Sequence, residues 1–197
     1  MKILVVGGTG HVGRPVTAAL QDRHEVLVAS RTSDLSVDIS DPRSIEEMFS
    51  RTGQLDAVVI CVGKAPFKPL AELTREDFTA AFTHKVLGQV EIVQQGTPAL
   101  CDGGSFTLTT GILAREPIRT GAASSLANGA LEAFVMAAAV ELPRGIRINA
   151  VSATVLAEAP SYHESFRGFT QAPAATVAQA YVKSVEGVQT GCVFKIG

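Results

Sequence analysis

An α/β architecture is predicted, a doubly wound parallel sheet of about seven strands with helices on both faces, built as a single domain over residues 1–197. Three observations predict it. Short β-branched runs alternate with helix-like segments along nearly the whole length. Several of these runs are apolar at every position rather than every second one, as in strands covered on both faces. A glycine-rich turn, Gly7-x-x-Gly10-x-x-Gly13, joins the first run to the first helical pattern.

Ile3–Val6 reads as a buried strand, broken by the glycines, with a helix running on to about Gln21. Glu25–Ala29 is the second strand and Val37–Ile39 a short third. Asp41 is the expected N-cap of the next helix, with Pro42 in its first position and Ile45, Met48 and Phe49 on its apolar stripe. Asp56–Val62 is a continuous apolar strand. Thr74 caps a long helix carrying Phe78, Phe82 and Val86 on its inner face, with Asp77 completing a capping-box variant and Pro98 closing it. Ser105–Thr110 is the next strand, and Ala122–Leu142 an Ala-rich helix. Ile146–Val151 is a strand, Ala174–Glu186 the last helix and Cys192–Ile196 the last strand. Leu156–Pro173, with its Pro, Gly, Tyr and Phe residues, is the candidate mobile loop.

Composition narrows the function. Lys and Arg total 17 against 19 Asp and Glu, a net charge of −2, so nothing favours a nucleic-acid partner. With 46% apolar and 18% charged residues, the chain is not disordered. Its longest clean apolar stretch, Ala133 to Val140, falls far short of the roughly 20 residues of a membrane helix, so no membrane association is expected. Cys61, Cys101 and Cys192 are widely spaced with no CxxC pair, and the opening apolar run is too short for a signal peptide. A reducing, cytoplasmic location is the expectation. His11, His24, His84 and His163 lack metal-ligand spacing, so no metal site is expected.

The glycine turn is placed where a dinucleotide fold needs it. Between a first strand and a first helix, missing side chains let backbone N–H groups approach a pyrophosphate held at the helix N-terminus. The alternative is a glycine turn used only for close strand–helix packing. At the end of the second strand an Asp or Glu would bind a ribose 2′-hydroxyl and repel a 2′-phosphate. Ser30-Arg31-Thr32 stands there instead, a guanidinium flanked by hydroxyls, which favours NADP over NAD.

With these features the chain resembles a short-chain dehydrogenase/reductase of atypical, short form, with a Rossmann-like fold. The glycine spacing, with Thr9, His11 and Val12 inside the turn, is similar to that of extended and atypical members. Val37-Asp38-Ile39 resembles the segment whose Asp hydrogen-bonds the adenine amino group, and Cys61-Val62-Gly63 stands in place of the strand end beside the adenine ribose. Gly104–Thr110 resembles the strand ending in the catalytic serine. Arg147-Ile148-Asn149-Ala150-Val151-Ser152 resembles the strand that approaches the nicotinamide, with Ala153-Thr154 replacing its Pro-Gly.

The departures from the family pattern fall on the chemistry. Registering the Tyr-x-x-x-Lys helix on Ala130-Leu131-Glu132 puts Ser124 at the tyrosine position and Asn128 at the lysine position. The catalytic serine becomes Thr110, or Thr109, and Lys85 stands where the family carries an Asn. A serine hydroxyl is too short and too weak an acid to replace a phenol tuned by a lysine. The paired change at Lys85 and Asn128 suggests a reciprocal exchange that keeps one positive charge and one amide by the nicotinamide ribose, the alternative being a Lys85 turned to solvent. Tyr162 and His163 are loop residues that could supply a proton after closure. The resemblance thus implies an NADP(H)-dependent oxidoreductase acting on a small carbonyl or conjugated acceptor, or else an inactive NADP(H)-binding sensor or scaffold. It also implies a homodimer or homotetramer through the two long helices.

Overall fold

The computed structural model describes residues 1–197. Its strands are β1 (Lys2–Val6), β2 (Glu25–Ser30), β3 (Leu35–Ser36), β4 (Leu55–Ile60), β5 (Leu100–Thr109), β6 (Arg147–Ala153) and β7 (Val193–Ile196). They form one sheet in the order β3-β2-β1-β4-β5-β6-β7. Every pairing is parallel. The order reverses between β1 and β4, the switch point where a doubly wound sheet opens a crevice at its strand ends.

Helices α1 (Gly13–Gln21) and α7 (Ala174–Glu186) cover one face, and α2 (Pro42–Ser50), α3 (Arg75–Ala81), α4 (Gly88–Gly96) and α5 (Ala122–Ala138) serve the other. Alternation along the strands divides the core accordingly. Ile3, Val5, Ala57 and Val59 pack with Val16, Leu20, Val177 and Tyr181, whereas Leu4, Val6, Val58 and Ile60 pack with Ile45, Met48, Ile92 and Leu131. Both faces of each central strand are therefore dry, which is why these strands are apolar throughout. No helix is long and apolar enough to cross a membrane.

The expected caps form. The Asp41 carboxylate accepts from the Arg43 N–H with Pro42 at the helix start, and Thr74 and Asp77 close a reciprocal capping box. β5 begins at Leu100 rather than Ser105 and α5 ends at Ala138 rather than Leu142, and two elements differ from the sequence expectation in kind. The third strand is Leu35–Ser36 rather than Val37–Ile39. Val37 still donates to the Ser30 carbonyl, but the Asp38 carboxylate then accepts from the Ser40 N–H and hydroxyl, an Asx turn that bends the chain off the sheet. The long helix opened by Thr74 is not continuous either. A π-helical segment at Phe82–Leu87 separates α3 from α4. Gly88 follows it, where a Cβ would stand 2.7 Å from the Ile39 carbonyl oxygen, so the helix crosses the loop after β3 at backbone distance.

The Arg147–Ser152 motif turns out to be architectural over much of its length. The Arg147 guanidinium donates to the carbonyls of Ser184, Val185 and Gln189, closing the end of α7. Asn149 bonds the Ser184 hydroxyl, the Gln189 carbonyl and the Cys192 N–H, aligning β7.

Candidate functional site

Two adjoining hollows lie at the carboxyl ends of the strands. The outer cleft, about 510 Å³, is lined by Gly7, Thr9, Gly10, Ser30, Arg31, Thr32, Asp38, Ile39, Cys61, Val62 and Gly63, all expected from the sequence. Val37, Lys64 and His84 complete it. The inner cavity, about 330 Å³, takes in His11, Val12, Lys85, Thr110, Ser124 and Asn128, and shares Cys61, Gly63 and Lys64 with the outer cleft. Gly13 lines neither.

Each glycine of the turn has its own reason. Gly7 has φ +82° and lies so close to the β4 end that a Cβ would stand 2.6 Å from the Cys61 carbonyl oxygen. A Cβ on Gly13 would collide with the Gly7 carbonyl and lie 2.7 Å from the Gly8 Cα, so Gly13 serves close packing of α1 on the turn. Gly10 is different, exposed on the cleft, with the Gly7 oxygen 3.3 Å from a virtual Cβ as its one neighbour.

At the end of β2, Arg31 is exposed, lines the cleft together with Asp38 and joins no salt bridge. Ser30 plays another part than a free flanking hydroxyl. Its Oγ accepts from the N–H groups of Thr32 and Ser33 and donates to Ser33 Oγ, so it builds the turn that presents Arg31 and Thr32. The Asp38 carboxyl is held below its ordinary range, first by the Ser40 hydroxyl, then by the Ser40 N–H, with Arg31 adding a smaller effect.

In the inner cavity Lys85 and Asn128 enter from opposite elements, the π segment and α5. The Lys85 stem crosses Gly63, whose virtual Cβ would stand 2.6 Å from the lysine Cγ; Gly63 has φ +135°, and its bare backbone leaves the passage. Desolvation alone lowers the ammonium from an ordinary 10.5 to about 8. Asn128 is 2% exposed, and its Oδ1 has no hydrogen-bond partner. Its Nδ2 makes one long contact, 3.5 Å, to Ser124 Oγ one helical turn away.

Thr110 lines the cavity, but its hydroxyl proton is committed elsewhere. It donates to Glu132 Oε1 at 3.1 Å, and Glu132 is held by Arg115 at 2.9 and 3.1 Å. Arg115 also reaches Ser152 Oγ at 3.1 Å. With Glu132 and, at 3.4 Å, the Val151 carbonyl as its acceptors, the Thr110 hydroxyl turns its proton away from the cavity in this arrangement. Thr109 lies off the cavity, donating to the Ile60 carbonyl and bonded to the Tyr181 hydroxyl at 2.7 Å. Burial pushes the Cys61 thiol up to about 12 and the Tyr181 phenol well above its usual value, so neither exchanges a proton near neutrality.

The loop folds over the inner cavity through Leu156, Ala159, Tyr162 and Phe166. Its ends are pinned together by the Leu156–Ala172 bridge, and α6 (Pro160–His163) is its short helical turn. Tyr162 packs against Phe67 with ring centroids 6.2 Å apart. His163 does not line the cavity, and its ring bonds the Leu156 carbonyl at 2.9 Å.

Sequence reasoning missed three contributors. Gln89 is fully buried and bonds the Val62 and Thr109 carbonyls and the Thr109 N–H, tying the ends of β4 and β5 together. Lys64 and the Arg115–Glu132 pair are the others. Glu132 lies two turns after Ser124 on α5, but its link to residue 115 exists only in three dimensions.

A family model described as Enoyl-(Acyl carrier protein) reductase matches residues 12–194. The structure of protein lin1944 from Listeria innocua is 46% identical, with a TM-score of 0.97 over 99% of this chain and 98% of that one. A small-chain dehydrogenase in complex with NADPH is 27% identical, with a TM-score of 0.89 over 99% and 95% of the two chains. Curated relatives include an uncharacterized oxidoreductase of Methylorubrum extorquens, 31% identical over 61% of this chain and 49% of its own length. A hydroxynaphthalene reductase-like protein of Metarhizium brunneum is 29% identical over 77% and 67%. The chain thus spans about half to two thirds of these two relatives. A parallel sheet in this order, a glycine turn at its switch point and a matching family model over nearly the whole chain make this protein a member of the short-chain dehydrogenase/reductase family.

Proposed function

We propose that the protein is an NADP(H)-dependent oxidoreductase with a non-standard catalytic site, acting on a small carbonyl or conjugated acceptor. The observation that carries the reading is the exposed Arg31 at the end of β2, which joins no salt bridge and stands where an Asp or Glu would otherwise end the strand. Gly7, Thr9 and Gly10 offer backbone to the pyrophosphate at the start of α1, Arg31 and Thr32 hold the 2′-phosphate, and Asp38, Ile39, Val62 and Gly63 enclose the adenosine. His11, Val12 and Cys61 lie where this cleft opens into the inner cavity. Bound NADPH supplies a hydride there.

This chain's residues then place the acceptor and exclude water. Ser124 offers a hydroxyl to the nicotinamide ribose, and the reciprocal exchange leaves the Asn128 amide and the Lys85 charge on the wall of the inner cavity, toward the acceptor. Ser124 stands where the family carries its proton-donating Tyr, so a small acceptor protonated by water, of quinone type, suits the cavity. Exposed Leu126 and Met136 on α5 support assembly as a homodimer or homotetramer through the long helices.

A second reading, an NADP(H) sensor without turnover, is favoured by Ser124 and Asn128 standing where the family has Tyr and Lys. A screen of NADPH oxidation by the pure protein separates the two. The oxidoreductase reading expects acceptor-dependent consumption of NADPH with a quinone or conjugated ketone; consumption with none of them assigns the sensor.

A further inference from the structure

The inner cavity is cationic and uncompensated. Lys64 and Lys85 both line it, and no Asp or Glu does. Neither lysine belongs to any of the protein's ion pairs. The carboxylate bonded to the lining Thr110, that of Glu132, is already neutralised by Arg115 at 2.9 Å. Lys85 is half-buried with no acceptor for its ammonium, and burial alone accounts for its lowered proton affinity. An unpaired charge in such surroundings costs free energy that a bound anion offsets.

Two further features point to what fills the space. The Asn128 amide is buried with one oxygen unpartnered and its nitrogen held only by a 3.5 Å contact, so it has donor and acceptor capacity to spare on the cavity wall. Around it the surface is apolar: Phe67, Leu113, Tyr162 and Phe166 line the same hollow. At about 330 Å³, part of it given to the nicotinamide, the cavity has room for little more than one ring and a polar substituent. A lysine bonded to a phenol would be occupied, but Ser124 stands at the tyrosine position and the lining Tyr162 packs on Phe67 instead.

We infer that the acceptor is an anion: a small carboxylate, about one ring in size, whose negative group is taken by Lys85 and the Asn128 amide while its apolar body rests on Phe67, Leu113, Tyr162 and Phe166. The inference rests on the reading of the inner cavity as the acceptor site. It has a pH signature. The other titratable groups on the cavity are His11 from the turn before α1, Cys61 and Lys64 after β4 and Tyr162 of the loop, whereas α5 contributes the uncharged Ser124 and Asn128. An anion binds the protonated ammonium, so affinity falls as pH rises through about 8. It falls by as much as tenfold per pH unit until the raised proton affinity of the complex takes over.

The test uses the full chain, with and without saturating NADP⁺, titrated by calorimetry or NMR with benzoate and with its neutral isostere benzamide. Benzoate is expected to bind about tenfold or more tightly than benzamide at pH 7, the scale of a charge-assisted hydrogen bond. That preference disappears in Lys85→Met and survives in Lys64→Met. Between pH 7 and 9.5 benzoate weakens in the wild type and benzamide does not. Because the pH arm needs no variant, a Lys85→Met protein that fails to fold leaves the test intact.

Equal affinities for the two probes overturn the inference. So does a Lys85→Met protein that loses NADPH but keeps the benzoate preference, which would assign the charge to the cofactor ribose. A benzoate preference on the cofactor-free protein, with no NADP⁺ binding at all, upholds the anion site while the cofactor reading alone fails.

Discussion

Gly13→Ala should unfold the glycine turn, lowering stability by about 3 kcal/mol or more and removing NADPH binding with it. A Cβ at this position collides with the Gly7 carbonyl and stands 2.7 Å from the Gly8 Cα. Both obstacles are backbone, so no rotamer change relieves them. Helix α1 would have to retreat from β1 and uncover Val16 and Leu20, which pack on Ile3 and Val5. Chemical denaturation monitored by circular dichroism measures the loss. Gly10→Ala is the informative contrast, because its Cβ meets a single atom at 3.3 Å on an exposed surface. That variant should keep near wild-type stability and still lose affinity for NADPH, since the added methyl stands where a pyrophosphate would approach. A Gly10→Ala protein with unchanged NADPH affinity would reduce the turn to a packing device.

Gln89→Leu is expected to cost about 3 kcal/mol, although the residue lines neither hollow. Leucine matches the volume but leaves the Val62 and Thr109 carbonyls and the Thr109 N–H without the side-chain partners they now have at 3.2, 3.0 and 3.0 Å. Each buried group so orphaned costs roughly 1–3 kcal/mol, less what water and neighbouring strands recover. The damage should also reach the site, because Val62 lines the outer cleft and Thr109 precedes Thr110 on the inner one. Gln89→Glu retains an acceptor for the Thr109 N–H but sets a carboxylate against two carbonyls, so it should be no better than leucine. Denaturation midpoints for the two variants check this, and a loss below about 1 kcal/mol for both would show that the clamp carries little.

The sequence made the fold legible because both of its periodicities were unambiguous. Apolar runs such as Ile3–Val6 and Val58–Ile60 are buried on two sides, and Asp41-Pro42 and Thr74–Asp77 are local signals that the backbone obeys. The third strand is where local pattern misleads. Val37 is 2% exposed and reads as a strand residue, yet the side-chain turns of Ser30 and Asp38 fix where pairing stops. The π segment at Phe82–Leu87 is equally invisible, since Phe78, Phe82 and Val86 keep a helical spacing through it.

The lining of the outer cleft was readable for the same reason as the fold, its residues being consecutive at strand ends. The chemistry of the inner cavity was less so. The commitment of the Thr110 proton depends on Arg115 and Glu132, 17 residues apart, meeting beside it. The state of Lys85 depends on burial under a path that Gly63 leaves open. Neither is a property of spacing along the chain.

The central claim is that the outer cleft selects a 2′-phosphorylated dinucleotide through Arg31, and a direct titration of the pure protein with NADPH and NADH, repeated on Arg31→Asp, tests it most directly. The account predicts tight NADPH and weak NADH binding in the wild type, with NADPH losing about 1–3 kcal/mol in the variant and NADH changing little, the loss being that of a charged hydrogen bond. Equal affinity for the two nucleotides, or an equal loss of both in Arg31→Asp, would contradict it.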